Sequence, residues 1–315
     1  MEGLAITNSK PMWINKVLGI MILFLIGGFF LIRIINWNDK GSFIKHNFNP
    51  NSNSTISVFN KLNDEWEFPD GYTMENIRIN GMDANWIYTD NTTSDKVILQ
   101  LHGGAYINSL EDNGIQYQRS AVKYAELSGA RILTIDYRVA PENPYPAALE
   151  DAVAAYQWLL KKDYKAGNII IVGDSAGGGL TLATTMYLRD HQIELPAALI
   201  TMSAWTNLNY EKKNIPYVGK SSAKDPYISP IYGDYTAFPP VLMQVGGDEK
   251  LFNDTAKVAE KAANAGVKVT QTTYDDMFHV FQLMYPVLTE ANDAWDEVGQ
   301  FIKSIFDNNT IQDEF

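Results

Sequence analysis

Gly173-Asp174-Ser175-Ala176-Gly177 sets a serine between two glycines. It directly follows the apolar run Ile169-Ile170-Ile171-Val172 and opens the helix-like stretch from Gly178 to Met186. A strand, a Gly-x-Ser-x-Gly turn and a helix in this order lift a serine hydroxyl clear of a sheet, where it can act as a nucleophile. The turn is tight, so a side chain two residues either side of the serine is expected to collide with the neighbouring strand or helix. Ser175 itself is expected in a strained conformation. The first N–H groups of the following helix, at its positive dipole end, point at the same place. Acyl transfer from such a serine needs three more things: donors for the carbonyl oxygen, a base, and an acid that orients the base.

Donors are available upstream. Lys96-Val97-Ile98-Leu99-Gln100-Leu101 reads as a buried strand, and His102-Gly103-Gly104-Ala105-Tyr106 follows it directly. Glycine lets the backbone approach a substrate without a Cβ in the way. The amides of Gly103 and Gly104, with that of Ala176 after the nucleophile, are therefore the predicted oxyanion hole. His102 reads as a side chain that holds this loop rather than as the base.

The base must come from His46, His102, His191 or His279. In the chain order serine–acid–histidine that accompanies this turn, only His191 and His279 qualify. His191 ends the helix that starts at the serine and is carried about 20 Å away at 1.5 Å per residue. His279 is left, in the loop after the strand-like Val267–Tyr274. The preceding strand, Pro240–Val245, exits through Gly246-Gly247-Asp248-Glu249. Asp248 is the first carboxylate there and the predicted orienting acid. Glu249 and Asp254 are the alternates, and Asp254 also reads as a cap for a helix beginning near Thr255. Asp275 and Asp276 read as loop polarity.

These motifs, with Asp136-Tyr137-Arg138, Ala140-Pro141-Glu142 and Tyr145-Pro146-Ala147-Ala148, resemble the hormone-sensitive-lipase-like family of α/β-hydrolases. The resemblance runs from about Asn76 to Phe306, with the motifs in family order. Ser203-Ala204-Trp205-Thr206 and Ser229-Pro230-Ile231-Tyr232-Gly233-Asp234 are similar to bacterial members described as acetyl esterases, steryl-acetyl hydrolases or small lactone hydrolases. The resemblance implies Ser175, Asp248 and His279 as a triad and Gly103, Gly104 and Ala176 as the oxyanion hole. Ala105 stands where the family often has a third glycine. It narrows the space near the acyl pocket and disfavours bulky tertiary-alcohol esters.

The elements that must position these residues alternate along the chain. Strands are predicted near 77–79, 86–88, 97–101, 131–135, 169–172, 198–202, 241–245 and 268–274. Helices are predicted near 116–127, 147–162, 176–189, 254–265 and 287–306. Such alternation predicts an α/β fold, a mostly parallel central sheet with helices on both faces. Residues 41–315 form the predicted hydrolase domain. Two segments, about 55–71 and 207–235, fall outside the alternation, and the family resemblance implies that they form a small helical cap. A polar linker at 47–53 separates this domain from an N-terminal segment, 1–40. There Val17–Ile32 is uninterruptedly apolar and flanked by Trp13 and Trp37. About 20 apolar residues with interfacial tryptophans predict a membrane-spanning anchor. No small-x-small cleavage site follows, which argues against a removed signal peptide. The hydrolase domain is expected on the extracellular side.

The net charge of −12 comes without a basic stripe, so nucleic acid is excluded as an expected partner. Four scattered histidines and no cysteine give no metal-ligand spacing, and serine hydrolysis needs no cofactor. Tyr106, Trp205, Tyr227 and Phe278 are the candidate walls of an apolar substrate pocket. The predicted function is a serine carboxylesterase acting on short acyl esters. Its alternatives are a lactone or steryl-ester hydrolase on the same site, and a non-catalytic binding protein on the same scaffold.

Overall fold

The computed structural model describes residues 53–312, except 90–91, 93–94 and 210–213. The predicted anchor at Val17–Ile32 and the linker up to 52 lie outside the described residues. Among the described residues, no helix is long and apolar enough to cross a membrane.

Eight strands form one sheet: β1 (Tyr72–Ile79), β2 (Met82–Thr89), β3 (Val97–Leu101), β4 (Arg131–Ile135), β5 (Ile169–Asp174), β6 (Ala198–Met202), β7 (Val241–Gly246) and β8 (Val269–Tyr274). Their spatial order is β1-β2-β4-β3-β5-β6-β7-β8. β1 pairs antiparallel with β2, and β2 with β4. Every pairing from β4 to β8 is parallel. Among the described residues, six α-helices accompany the sheet: α1 (Asn53–Asp64), α2 (Leu110–Ser128), α3 (Ala147–Lys161), α4 (Ser175–Asp190), α5 (Phe252–Asn264) and α6 (Thr289–Gln312).

A parallel sheet buried on both sides needs strands that are mostly apolar, and β3 and β5 are, apart from the buried Gln100 and the terminal Asp174. Side chains alternate between faces along a strand. Val97, Leu99, Leu101, Ile169 and Ile171 pack with residues of α3, α4 and α5. Ile98, Ile170 and Val172 join Ala121 and Tyr124 of α2 and Trp295, Val298 and Ile302 of α6. The two cores therefore clamp the central strands from both sides, and their C-terminal ends provide a rigid rim.

The motif Asp136-Tyr137-Arg138 after β4 serves this scaffold. Asp136 Oδ1 accepts the Leu110 N–H at 2.8 Å, capping α2 just beyond the glycine loop. Tyr137 donates its hydroxyl to the His102 carbonyl at 2.6 Å. Arg138 reaches Asp151 of α3 through its backbone N–H at 2.8 Å and its guanidinium at 2.9 Å.

The expected cap is only partly helical. Its first piece contains α1, which meets α2 through Arg119 Nη1 donating to Asn63 Oδ1 at 2.7 Å. The second piece, where described, is irregular chain with two single 3-10 turns at Pro216–Val218 and Pro230–Tyr232. Proline opens each turn and glycine ends it, so neither turn propagates into an α-helix.

Candidate active site

β3, β5, β6, β7 and β8 all deliver their next residues to the same edge of the sheet, the carboxyl ends of the parallel strands, where ligands of open α/β sheets bind. Ser175 leaves β5 with φ +48°, the left-handed strain expected of it. A Cβ on Gly177 would run into the Leu101 and His102 carbonyls, and one on Gly173 into Gly177. The steric reading of the turn therefore holds at both glycines.

His279 Nε2 lies 2.9 Å from Ser175 Oγ. His279 Nδ1 lies 3.1 Å from Glu249 Oε2. A carboxylate only accepts, so Nδ1 carries the proton toward Glu249 and Nε2 is left to accept the serine hydroxyl. The Glu249 side chain is fully buried, whereas the imidazole is 42% exposed and open to water.

This corrects the expected acid. Asp248 is exposed, and its N–H donates to the Met277 carbonyl at 3.0 Å. Its neighbour Glu249 turns inward instead. Asp254 is the third residue of α5 rather than its cap, because the helix starts earlier, at Phe252. His191 follows α4 at its far end, exposed and stacked on Tyr187 with ring centroids 3.7 Å apart. Asp275 and Asp276 are exposed loop residues.

The glycine loop also departs from expectation in one amide. The Gly103 N–H donates to the Tyr117 hydroxyl at 2.6 Å, so it is not free for a substrate oxygen. Tyr117 in turn donates to Asp174 Oδ2 at 3.1 Å. Gly104, Ala105 and Tyr106 follow with φ of +111°, +56° and +61°. Among the described residues, the amides of Gly104 and Ala105 have no protein partner. Ala176, second residue of α4, has an N–H in the first turn, where no helical carbonyl precedes it. The amides left for a substrate oxygen on these two loops are thus Gly104, Ala105 and Ala176. The positive φ at Ala105 also explains why a glycine would suit that position.

His102 is buried, with Nδ1 donating to the Gly103 carbonyl at 2.7 Å and its ring stacked on Tyr137 at 3.9 Å. Burial pushes it down to about 4, so it sits neutral as a loop-holding side chain. Asp174 is pushed up to about 6 by burial, an effect opposed by the Tyr117 hydrogen bond and by the charge of His279. Tyr117 and Asp174 were absent from the sequence-based site, because nothing in a single chain pairs residues 57 positions apart.

Of the four candidate pocket residues, Trp205 is tied to the main chain of the nucleophile, its backbone N–H donating to the Ser175 carbonyl at 2.7 Å. Tyr106 is buried behind it, stacked face to face on Tyr217 at 3.7 Å with Trp205 at 6.3 Å. Phe278 is buried beside His279 in sequence. Tyr227 does not join the site. Its hydroxyl donates to Asp190 Oδ2 at 2.8 Å, at the end of α4 remote from Ser175.

Comparison with known proteins agrees with this geometry. A family model described as the alpha/beta hydrolase fold matches residues 98–283. An acetyl-hydrolase of Streptomyces hygroscopicus is 34% identical over 229 residues, covering 66% of this chain and 76% of that protein. An esterase of Acinetobacter venetianus is 30% identical over 262 residues, covering 76% and 85%. The crystal structure of an esterase from the bacterial hormone-sensitive lipase family superposes with a TM-score of 0.71 at 32% identity, covering 85% of this chain and 97% of that one. EstE5, crystallised and soaked with p-nitrophenyl butyrate, gives a TM-score of 0.72 at 32% identity, covering 84% and 96%.

Proposed function

The chain belongs to the hormone-sensitive-lipase-like branch of the alpha/beta hydrolase fold and is a carboxylic ester hydrolase, and from that premise we propose that it cleaves short acyl esters through Ser175, His279 and Glu249. The observation that carries this reading is the unbroken path from Ser175 Oγ through His279 to the buried Glu249, at 2.9 and 3.1 Å.

In the proposed cycle, His279 Nε2 takes the Ser175 proton as Oγ attacks the ester carbonyl. Glu249 keeps the imidazole in the correct tautomer and stabilises the imidazolium that forms. The amides of Gly104, Ala105 and Ala176 receive the tetrahedral oxyanion, each worth about 10²–10³ in rate. The imidazolium then protonates the leaving alcohol. Water reaches the exposed face of His279, is deprotonated there and releases the acid from the acyl-enzyme.

The similarity to acetyl-hydrolases supports a short acyl group. The apolar stretch Val17–Ile32 supports a single-pass anchor.

The full chain in detergent should hydrolyse p-nitrophenyl acetate and butyrate faster than the decanoate, and Ser175→Ala should abolish turnover. Full activity in Ser175→Ala would reject the serine mechanism. A preference for the decanoate would reject the short-acyl pocket. Release of the full-length chain from membranes by high salt would reject the anchor.

A further inference from the structure

We propose that the exit of β6, Ser203-Ala204-Trp205, is a clamp that sets the spacing between nucleophile and base, with Ser203 as a positioning residue for His279. The proposal rests on the catalytic reading above and adds to it the element that holds the two side chains in register.

One end of the clamp holds the nucleophile. The Trp205 N–H donates to the Ser175 carbonyl at 2.7 Å. The other end holds the base. Ser203 Oγ accepts the N–H of Val280, the residue after His279, at 3.0 Å. Between them Ala204 is packed against the first turn of α4, so tightly that a Cβ on Gly178 would stand 2.9 Å from the Ala204 Cβ. The span cannot stretch without losing that contact. Ser203 is itself buried, with its N–H donating to the Gln244 carbonyl of β7 at 2.8 Å.

The grip on Val280 matters because of that residue's backbone. Val280 has φ +53° and ψ 39°, a left-handed conformation that a β-branched side chain adopts only where its surroundings impose it. Further along, the loop is tied down independently. Gln282 Nε2 donates to Gln244 Oε1 at 3.2 Å, and the Trp295 indole N–H donates to the Gln282 carbonyl at 3.1 Å. Before His279, the Asp248 N–H holds the Met277 carbonyl at 3.0 Å. Val280 itself is met by two bonds: the Leu283 N–H donates to its carbonyl at 3.2 Å, and the Ser203 hydroxyl is the one that holds its N–H, on the side of His279. With it removed, Val280 can relax toward negative φ, and the imidazole one residue away swings off the 2.9 Å contact with Ser175.

The test is a kinetic cycle on the full chain in detergent with p-nitrophenyl acetate. Ser203→Ala and Ser203→Gly both remove the oxygen, and glycine accepts the φ of +51° at position 203, so the second variant keeps the fold accessible. Each is expected to lower kcat by about 10–100-fold with KM within about two-fold of the parent, the pattern of lost alignment rather than lost binding. Ser203→Ala/Val280→Gly should then regain several-fold in kcat over Ser203→Ala, because glycine takes the left-handed conformation without help. A purely structural role for Ser203 predicts no such rescue. Parent-like kcat in both single variants, a loss confined to KM, or no recovery in the double variant would overturn the clamp. Diethyl p-nitrophenyl phosphate separates this from failure of the underlying mechanism. If it does not label Ser175 in the parent, the serine reading itself fails. If it labels parent and Ser203→Ala at the same rate, only the clamp fails.

Discussion

Glu249 points inward to His279 while Asp248, one residue before it, points to solvent. The pair offers an internal control for the orienting acid. Glu249→Gln preserves the volume but replaces an accept-only carboxylate with an amide that can also donate, so the tautomer is no longer fixed and the imidazolium loses its counter-charge. We expect kcat to fall by about 10³–10⁴-fold, the scale of a lost triad acid. Asp248→Asn alters only a surface carboxylate and should leave kcat within about two-fold. Steady-state kinetics on p-nitrophenyl acetate for both variants decides the assignment, and the reverse ranking would return the role to Asp248.

Tyr117 joins the two loops that build the oxyanion hole, accepting from the Gly103 N–H and donating to the Asp174 carboxylate. Tyr117→Phe keeps the ring and deletes the link. A buried N–H then lacks its acceptor and a buried carboxyl its donor, which should cost about 1–3 kcal/mol of stability. The glycine loop should also lose its register with α4, so kcat should drop more than KM rises. Thermal unfolding and kinetics measured together check this. An unchanged kcat alongside a lowered Tm would confine Tyr117 to scaffolding.

The parts of this molecule legible in the sequence are those written in consecutive residues. The strands at Val97–Leu101, Arg131–Ile135 and Ala198–Met202 are mostly apolar runs and match the prediction residue for residue. The elbow is equally plain, because its glycines, its strand and its helix lie together. Chain order and helix geometry were enough to separate His279 from His191. What escaped was decided by turns and by distant partners. Whether Asp248 or Glu249 faces inward depends on how one turn leaves β7. The unavailability of the Gly103 amide depends on Tyr117, brought back by α2. A helical cap at 207–235 is implied only by the family resemblance, and where described that segment is irregular chain with single 3-10 turns at Pro216–Val218 and Pro230–Tyr232.

His102 and Asp174 are both buried and titrate with opposite consequences in the same pH window. The His102 imidazole falls from 6.5 to about 4 because burial penalises its charged form. Between those values the unfolded chain binds a proton that the folded one refuses, so stability is lost as pH falls through the window. The Asp174 carboxyl rises from 3.8 to about 6, again chiefly through burial. There the folded chain keeps a proton that the unfolded one has released, so stability is lost as pH rises through the window. Each full effect is about 3 kcal/mol, since every tenfold change in proton affinity is worth about 1.4 kcal/mol, and the two nearly cancel in the parent protein. Substituting either residue should expose the other. Relative to the parent, His102→Asn should gain stability as pH falls from 6.5 to 4, and Asp174→Asn should gain it as pH rises from 4 to 6. Urea unfolding across pH 4–8 measures both trends. Two variants whose stability runs parallel to the parent's at every pH would show that neither group titrates as its burial requires.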